Sequence, residues 1–305
     1  MLTPFGKLIR QYRNDKGLRL LDLAQRLELS PAFVSGVETG RKSIPDGYVT
    51  AVTRALNLTA AESRALRHAS DRTRKDVRVD HLSPEQRELV AAFARKPNAV
   101  PDDVIVKLRR ALLKSVSNEV PFHRTRRGII VPPMSSEALR EHAERVRTAC
   151  VPDDATIEFP IIDALEYTLV KVFPDFCFDV VEKELMGEDE GYVLAGGTSL
   201  ALREDVYIGA CKGSGRDRFT ACHELAHFLL HREVTIARAR EDDVAVFRDS
   251  EWQADSFAGA LLMSARHLPK FSSSHAAAVH CGMTEHAAEV QWSKYKKWGL
   301  IKDKK

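Results

Sequence analysis

Hydrophobic side chains recur every three or four positions through residues 5–66, a spacing typical of short amphipathic helices. Ser30 and Pro31 are suited to the N-cap and first turn of one such helix, and Gly40 is suited to its end. The pattern predicts four helices, near residues 5–12, 20–27, 31–37 and 49–58. We therefore expect a small all-α domain over residues 1–70.

The pattern changes after residue 135, where stretches of helical and of alternating hydrophobic spacing are mixed. The stretches predicted to be strands are 157–162, 176–181, 191–193, 199–203 and 206–208. Those predicted to be helices are 135–150, 164–172, 214–231 and 250–263, followed by a mostly helical end at 268–300. Residues 135–305 are therefore predicted to form an α+β domain with a small sheet.

Two polar segments lie between these parts. Residues 71–80 are charged and poor in hydrophobic side chains, and residues 114–134 contain a basic run and two adjacent prolines. We interpret both as exposed connectors, with amphipathic helices between them. The predicted organisation is a helical domain over 1–70, a helical linker region over 71–134 and an α+β domain over 135–305, so that the chain is α+β overall.

Composition narrows the class of protein. Hydrophobic residues make up 44% of the 305 residues, and no stretch approaches the about 18 consecutive apolar residues that predict a transmembrane helix. The N-terminus lacks the apolar core of a secretory signal. The five cysteines are scattered and form no Cys-x-x-Cys pair, which is typical of a reducing compartment. We expect a cytoplasmic protein with no membrane partner.

Charge is distributed unevenly around the net value of +3. Lys and Arg outnumber Asp and Glu in residues 1–80, whereas acidic residues are in excess in the rest of the chain. A basic end on a nearly neutral protein favours a negatively charged partner, first of all nucleic acid, although a merely solvated basic surface has the same composition.

A histidine pair marks a candidate metal site. His223 and His227 are four residues apart in a predicted helix, so their imidazoles project from one face and can bind one Zn²⁺. Glu224 is then placed to take a proton from a water that the metal activates. A catalytic zinc needs a third protein ligand, for which we predict Glu251 at the start of a later helix. Asp255, one turn further on, is predicted to accept a hydrogen bond from a ligand histidine.

These residues carry a specific resemblance. The run Arg218-Phe-Thr-Ala-Cys-His-Glu-Leu-Ala-His227, and the spacing from Glu251 through Ala254, Phe257 and Ala258 to Leu261-Leu-Met263, resemble the ImmA/IrrE family of zinc metallopeptidases over roughly residues 135–305. The resemblance implies a zincin-like fold, one Zn²⁺ per chain with Mn²⁺ as an alternative, and the same three ligands and catalytic base. It implies a substrate class as well: repressors of the helix-turn-helix type, cut to derepress genes under stress.

The N-terminal helices resemble the Xre (Cro/cI-type) helix-turn-helix family over residues 5–66. The residues that carry the likeness are Leu23, Ala24, Leu27, Leu29, Ser30, Val34, Ser35, Val37, Glu38, Gly40 and Pro45. In that geometry the third helix enters the major groove of double-stranded DNA. By position, Ser30, Pro31, Ala32 and Ser35 face the bases, and Arg41 and Lys42 approach phosphates. A helix-turn-helix used for protein contact or dimerisation is the alternative.

The two resemblances together predict a DNA-binding transcription regulator with a zinc endopeptidase domain that cleaves a helix-turn-helix repressor, either a separate protein or another copy of itself. Tyr207, His231 and Arg218 are the candidates for stabilising an oxyanion, and the sequence does not choose among them. Two other functions stay open: a regulator whose zinc domain senses a ligand without cutting, and an antitoxin-type regulator. A homodimer is also left open.

Overall fold

The computed structural model describes residues 2–73, 130–152, 156–193, 198–231 and 245–301. By their contacts these residues belong to one unit, which spans 1–73 and 126–305. The predicted linker region over 71–134 lies outside the described residues, apart from its first three and last five positions.

The N-terminal part consists of five short helices. They are α1 (Pro4–Asp15), α2 (Leu20–Leu27), α3 (Pro31–Thr39), α4 (Tyr48–Ala55) and α5 (Ala60–Thr73). Thr3 Oγ1 caps α1 by accepting a hydrogen bond from the Gly6 amide at 2.9 Å, and Ser30 Oγ caps α3 by accepting one from the Phe33 amide at 3.1 Å. Gly40 ends α3 at a φ of 80°, which glycine adopts without a steric penalty. The four predicted helices are confirmed, and α5 is an additional one.

One ionic cluster lies inside this helical part, next to its hydrophobic core. The buried hydrophobic side chains come from all five helices and include Phe5, Ile9, Leu23, Val34, Val52 and Leu66. The carboxylate of Glu38 on α3 is fully buried, accepts a hydrogen bond from Arg10 Nε at 3.1 Å and lies 3.7 Å from Arg13 Nε. Two guanidinium groups compensate the lost hydration of this carboxylate, so the cluster fixes α1 against α3.

The C-terminal half, residues 130–301 of the described chain, is α+β as predicted. Its helices are α6 (Ser136–Cys150), α7 (Ile161–Asp163, continued by a π-helical turn at Ala164–Thr168 and by Leu169–Val172), α8 (Lys183–Met186), α9 (Glu204–Cys211), α10 (Gly215–His231), α11 (Ser250–Leu262), α12 (Ser274–Cys281) and α13 (Glu285–Lys297), with short 3₁₀ turns at Val246–Arg248 and Ala265–Lys270. Its strands are β1 (Cys177–Val181), β2 (Gly191–Val193) and β3 (Ser199–Arg203). The strand order is β1-β3-β2, and β1 runs parallel and β2 antiparallel to β3.

Two predicted strands are wrong. The stretch 157–162 contains no strand, and α7 begins within it at Ile161, because Ile161, Leu165 and Leu169 are buried at helical spacing. The stretch 206–208 lies inside α9, where Val206 and Ala210 are buried one turn apart. Both stretches are too short for hydrophobic spacing alone to separate a strand from a helix. The strands predicted near 176–181, 191–193 and 199–203 are confirmed.

Helix α10 lies at the centre of the C-terminal half. One side of it packs on β2 and β3, and the other side packs on α11, which in turn packs on α6. The helix is buried over most of its length through Ala221, Leu225, Ala226 and Phe228. Even α10, with 17 residues, does not have the length and apolarity that would cross a membrane, and neither does any other helix in the described part of the chain.

Arg147 on α6 is a buried side chain whose loss should destabilise the C-terminal half. Its guanidinium donates to the carbonyl oxygens of Thr156 and Ile157 at 2.5 Å each and to that of Leu261 at 3.2 Å, and it is 1% exposed. Arg147→Ala leaves these acceptors without a donor, so we expect the free energy of unfolding to fall by about 3 kcal/mol, measured by urea denaturation.

The matched control is Arg145→Ala on the same helix, because Arg145 is exposed and its hydrogen bonds to other described residues are local ones with Glu141 and His142. We expect its effect to stay within about 0.5 kcal/mol. Equal effects of the two substitutions would contradict a role for Arg147 in joining α6 to α11 and to residues 156–157.

Candidate metal centre

Helices α10 and α11 bring the three predicted metal ligands together. His223 Nε2 lies 2.9 Å from His227 Nε2 and 3.3 Å from Glu251 Oε2, and His227 Nε2 lies 3.4 Å from Glu251 Oε1. The three residues form a group whose donor atoms all lie within 4.8 Å of one another. A His/His/Glu set is the donor set of catalytic zinc sites, which keep a further position open. The residues therefore fit a zinc ion.

Local structure explains how the donors reach one point. The helical period places His223 and His227 one turn apart on the side of α10 that faces α11. Asp249 caps α11 by accepting a hydrogen bond from the Glu251 amide at 3.0 Å, which fixes Glu251 in the first turn. The Glu251 side chain keeps 35% of its exposure, whereas that of His223 keeps 9%. The cluster thus opens towards solvent at its carboxylate.

Asp255 lies behind His223. Nδ1 of His223 lies 2.8 Å from Asp255 Oδ1, one turn along α11 from Glu251. A proton held on Nδ1 by this carboxylate leaves the Nε2 lone pair directed at the centre of the cluster.

Gln253 orders the hydrogen bonds behind His227. Its Nε2 donates to the carbonyl oxygens of Pro132 and Phe247 at 2.9 and 2.8 Å, so its Oε1 can only accept. This Oε1 lies 3.0 Å from His231 Nε2, which must therefore carry the proton and leave Nδ1 of His231 as an acceptor. That acceptor lies 3.1 Å from Nδ1 of His227. The order of bonds places the His227 proton on Nδ1 and leaves its Nε2 free for a metal.

The electrostatics of the cluster favour a cation. Burial opposes the charged form of His223, but its hydrogen bonds to Asp255 and Glu251 and the nearby charge of Glu224 raise the pKa of His223 to about 9. Hydrogen bonds from His223 and His227 hold the pKa of Glu251 well below its usual range. Burial lowers the pKa of His231 to about 4, so this residue stays a neutral acceptor at neutral pH. A proton or a metal ion at the centre is therefore stabilised.

Glu224 lies beside the cluster on the sheet side of α10. Its side chain is buried and packs against β2, where a Cβ atom on Gly191 would come within 2.5 Å of Glu224 Cγ. Only glycine at 191 therefore lets the strand approach α10 this closely. The hydrophobic pattern does not identify Gly191 as a site residue, because the one signal that the sequence offers there is a glycine at the start of a predicted strand.

The three candidates for oxyanion stabilisation have other partners. Tyr207 Oη donates to Glu166 Oε1 at 2.7 Å, and Arg218 Nη2 donates to the carbonyl oxygen of Phe159 at 2.8 Å. His231 is held between His227 and Gln253, as described above. We therefore assign none of them to the oxyanion.

The residues predicted to contact DNA lie on α3, at its cap and in the loop after it. Ser30 is exposed, whereas Pro31, Ala32 and Ser35 are buried. The side chains of Arg41 and Lys42 pair with carboxylates of the C-terminal half. Contacts of these six residues with DNA stay predictions.

Comparison with protein families identifies two domains in the chain. A family model described as an IrrE N-terminal-like domain, Peptidase_M78, matches residues 178–289, and a helix-turn-helix domain model matches residues 4–66. The chain joins a helix-turn-helix domain to an IrrE N-terminal-like domain. Searches of curated proteins and of solved structures found no match. Residues 178–289, called the IrrE-like domain from here on, contain both helices that carry the candidate metal ligands.

Removal of one donor should abolish tight metal binding by the IrrE-like domain. We expect the dialysed wild-type chain to retain a single zinc ion and His227→Ala to retain none, because two protein donors do not hold zinc against dialysis. Elemental analysis by mass spectrometry measures the zinc content. His275→Ala is the matched control, since His275 is an exposed histidine of α12 that contacts Glu285. Equal zinc content in both variants would rule out the cluster as the binding site.

The hydrogen bonds behind His227 predict a graded effect at position 231. His231→Leu removes the acceptor for the His227 Nδ1 proton and should weaken zinc binding about tenfold or more, measured by competition with a chromophoric chelator. His231→Asn places an amide oxygen near the former Nδ1 and should retain most of the affinity. If both variants lose the same affinity, His231 acts through packing and not through its hydrogen bond.

Proposed function

We propose that the protein is a DNA-binding regulator whose IrrE-like domain is a zinc-dependent endopeptidase, and that this domain cleaves a repressor-class protein of the helix-turn-helix type. The observation that carries the proposal is the placement of Glu224. Glu224 is buried, directly follows His223 in α10 and packs against Gly191 of β2, and its charge acts on His223. A proton acceptor for peptide hydrolysis is needed at such a position, next to the candidate metal ligands.

His223, His227 and Glu251 are the residues that would hold the zinc ion. When bound there, zinc supplies a Lewis acid that polarises a peptide carbonyl group and makes water acidic enough to act as a nucleophile near neutral pH. Asp255 and His231 keep the ring protons of the two histidines on Nδ1, so that both Nε2 atoms remain available.

Glu224 is the proposed proton carrier. Its carboxylate would take a proton from the attacking water and deliver it to the nitrogen of the leaving amine, so that the reaction needs no serine or cysteine nucleophile. The close packing of Glu224 against Gly191 restricts the positions that its side chain can take.

Strand β2 offers a way to orient a protein substrate. It pairs with β3 on one side, and within the described residues no strand pairs with its other side. An extended segment of a substrate can add to such an edge through main-chain hydrogen bonds. Since Gly191 lies on this strand against Glu224, a segment bound there would pass close to the proposed proton carrier. Substrates are therefore expected to present an extended loop or an unfolded segment.

The helix-turn-helix domain supports the DNA-binding part of the proposal, and the family resemblance supports the substrate class. A repressor that carries a related helix-turn-helix, or a second copy of this chain, is the substrate to test first.

Cleavage should depend on Glu224. We expect the zinc-loaded wild type to generate fragments from helix-turn-helix repressors or from tagged copies of itself, and Glu224→Gln to slow this by about 10²-fold to 10⁴-fold, because the amide cannot take up the proton. Labelling of new N-termini, read by mass spectrometry in cells that express each variant, identifies the substrate and the bond cut.

Glu188→Gln is the control variant, because Glu188 is an exposed glutamate of the same domain. It should cut like the wild type. Fragments that appear equally with the wild type and with Glu224→Gln would be products of another protease. If the zinc-loaded wild type never produces fragments, the proposed peptidase activity is contradicted and a domain that only senses a ligand is favoured.

A further inference from the structure

The face of α3 that the helix-turn-helix geometry assigns to DNA bases is occupied by the chain itself. Ser35 Oγ donates to Asp179 Oδ1 at 2.6 Å and accepts from the Val180 amide at 3.0 Å. The Ala32 amide donates to Glu204 Oε1 at 2.8 Å. Ala32 and Ser35 have no exposed surface left. A helix whose reading face is covered in this way cannot enter a major groove.

Arg41 and Lys42, which are predicted to contact phosphates, are also paired with carboxylates of the C-terminal half. Arg41 donates to both carboxylate oxygens of Asp179, at 3.0 and 3.1 Å, and to Glu182 Oε2 at 3.0 Å. Lys42 Nζ lies 2.5 Å from Glu182 Oε1. A planar guanidinium binds a carboxylate with the same two-donor geometry that it uses for a phosphate. Asp179 and Glu182 therefore take the positions that phosphates would take beside α3.

The contact between the helix-turn-helix domain and the C-terminal half also covers the edge of the sheet at β1. Within the part of the chain that the structure describes, β1 is an edge strand. Side chains of the helix-turn-helix domain bind its outward main-chain groups. The Phe178 carbonyl accepts from Arg10 at 2.9 Å, and the Val180 carbonyl accepts from Arg41 at 2.9 Å. With the bond from the Val180 amide to Ser35, three polar groups of the edge are paired without a further strand.

A second set of bonds lies beyond α3. Glu166, buried in the π-helical turn of α7, accepts from Arg13 at 2.5 Å, from the Leu20 amide at 2.9 Å and from Tyr207 at 2.7 Å. At the rim, Arg19 Nε donates to Asp163 at 2.7 Å. The contact thus joins basic residues of the N-terminal part to acidic residues of the C-terminal half along its whole length.

We propose that Asp179, Glu182 and Glu204 form a carboxylate surface that substitutes for DNA, so that α3 binds either this surface or a duplex but never both. This inference rests on the DNA-binding part of the proposed function and adds a way in which DNA binding is regulated. The affinity for DNA is then the intrinsic affinity of the open domain multiplied by the fraction of molecules in which α3 has left β1. Whatever weakens the carboxylate surface raises that fraction and tightens DNA binding.

The double variant Asp179→Asn, Glu182→Gln tests this in the full-length, zinc-loaded chain. The probe is a mixed-sequence DNA duplex of about three helical turns, at low and constant salt, with binding read by fluorescence anisotropy. Loss of the carboxylates that hold Arg41 and Lys42 should lower the apparent Kd about tenfold relative to the wild type.

The matched control is Glu184→Gln, Glu188→Gln, which removes the same charge from exposed positions next to the surface. It should change the Kd less than twofold, because the bonds from Asp179 and Glu182 to the helix-turn-helix domain stay in place. Since both double variants remove the same charge, this control measures the effect of general repulsion between the protein and DNA. Equal tightening in the two double variants would overturn the inference and leave DNA binding intact. If no variant binds the duplex, the DNA-binding part of the proposed function fails and this inference fails with it, whereas the peptidase proposal is untouched.

Hydrogen exchange in the wild type tests the same inference without a substitution. The Val180 amide is protected by Ser35, so binding of the duplex through α3 should accelerate exchange in a peptide that covers residues 177–181. Protection that stays unchanged at saturating DNA would overturn the inference, since it would show that DNA binds while α3 remains on β1.

Discussion

The chemistry of the C-terminal half depends on how α10 is held between the sheet and α11. Consecutive residues of a helix point about 100° apart, so His223 and Glu224 must face different neighbours. Packing on α11 directs the histidines towards Glu251, and packing on β2 directs Glu224 towards Gly191. One buried helix thus directs the candidate metal ligands and the proposed proton carrier towards different neighbours while keeping them adjacent in the chain.

The grouping of His223, His227 and Glu251 could be predicted because the sequence features that bring them together are local. The spacing of two histidines fixes one helix face, and a capped helix start fixes Glu251. The role of Gln253 could not be predicted in this way. It depends on the carbonyl oxygens of Pro132 and Phe247, which reach Gln253 only after the chain has folded. The same limit applies to 206–208, where three residues of hydrophobic sequence did not distinguish a strand from the helix that formed.

The basic excess at the N-terminal end predicts a negatively charged partner. The structure supplies one such partner from within the chain, because Asp163, Glu166, Asp179 and Glu182 pair with arginines and a lysine of the first 42 residues. No pattern in the sequence links Asp163 and Glu166 on α7 to Asp179 on β1 and Glu182 directly after it. The net charge of the N-terminal segment therefore predicts the sign of the partner's charge but not the identity of the partner.

The pairing of β1 by side chains has a consequence for assembly. A strand edge that is covered by arginine and serine side chains cannot template another strand, and an edge that has lost them can. A molecule whose helix-turn-helix domain turns to DNA would expose main-chain groups at Phe178 and Val180 to any extended segment nearby, including one from a neighbouring molecule on the same duplex. Occupancy of DNA and association between chains would then rise together, through the backbone of a single strand.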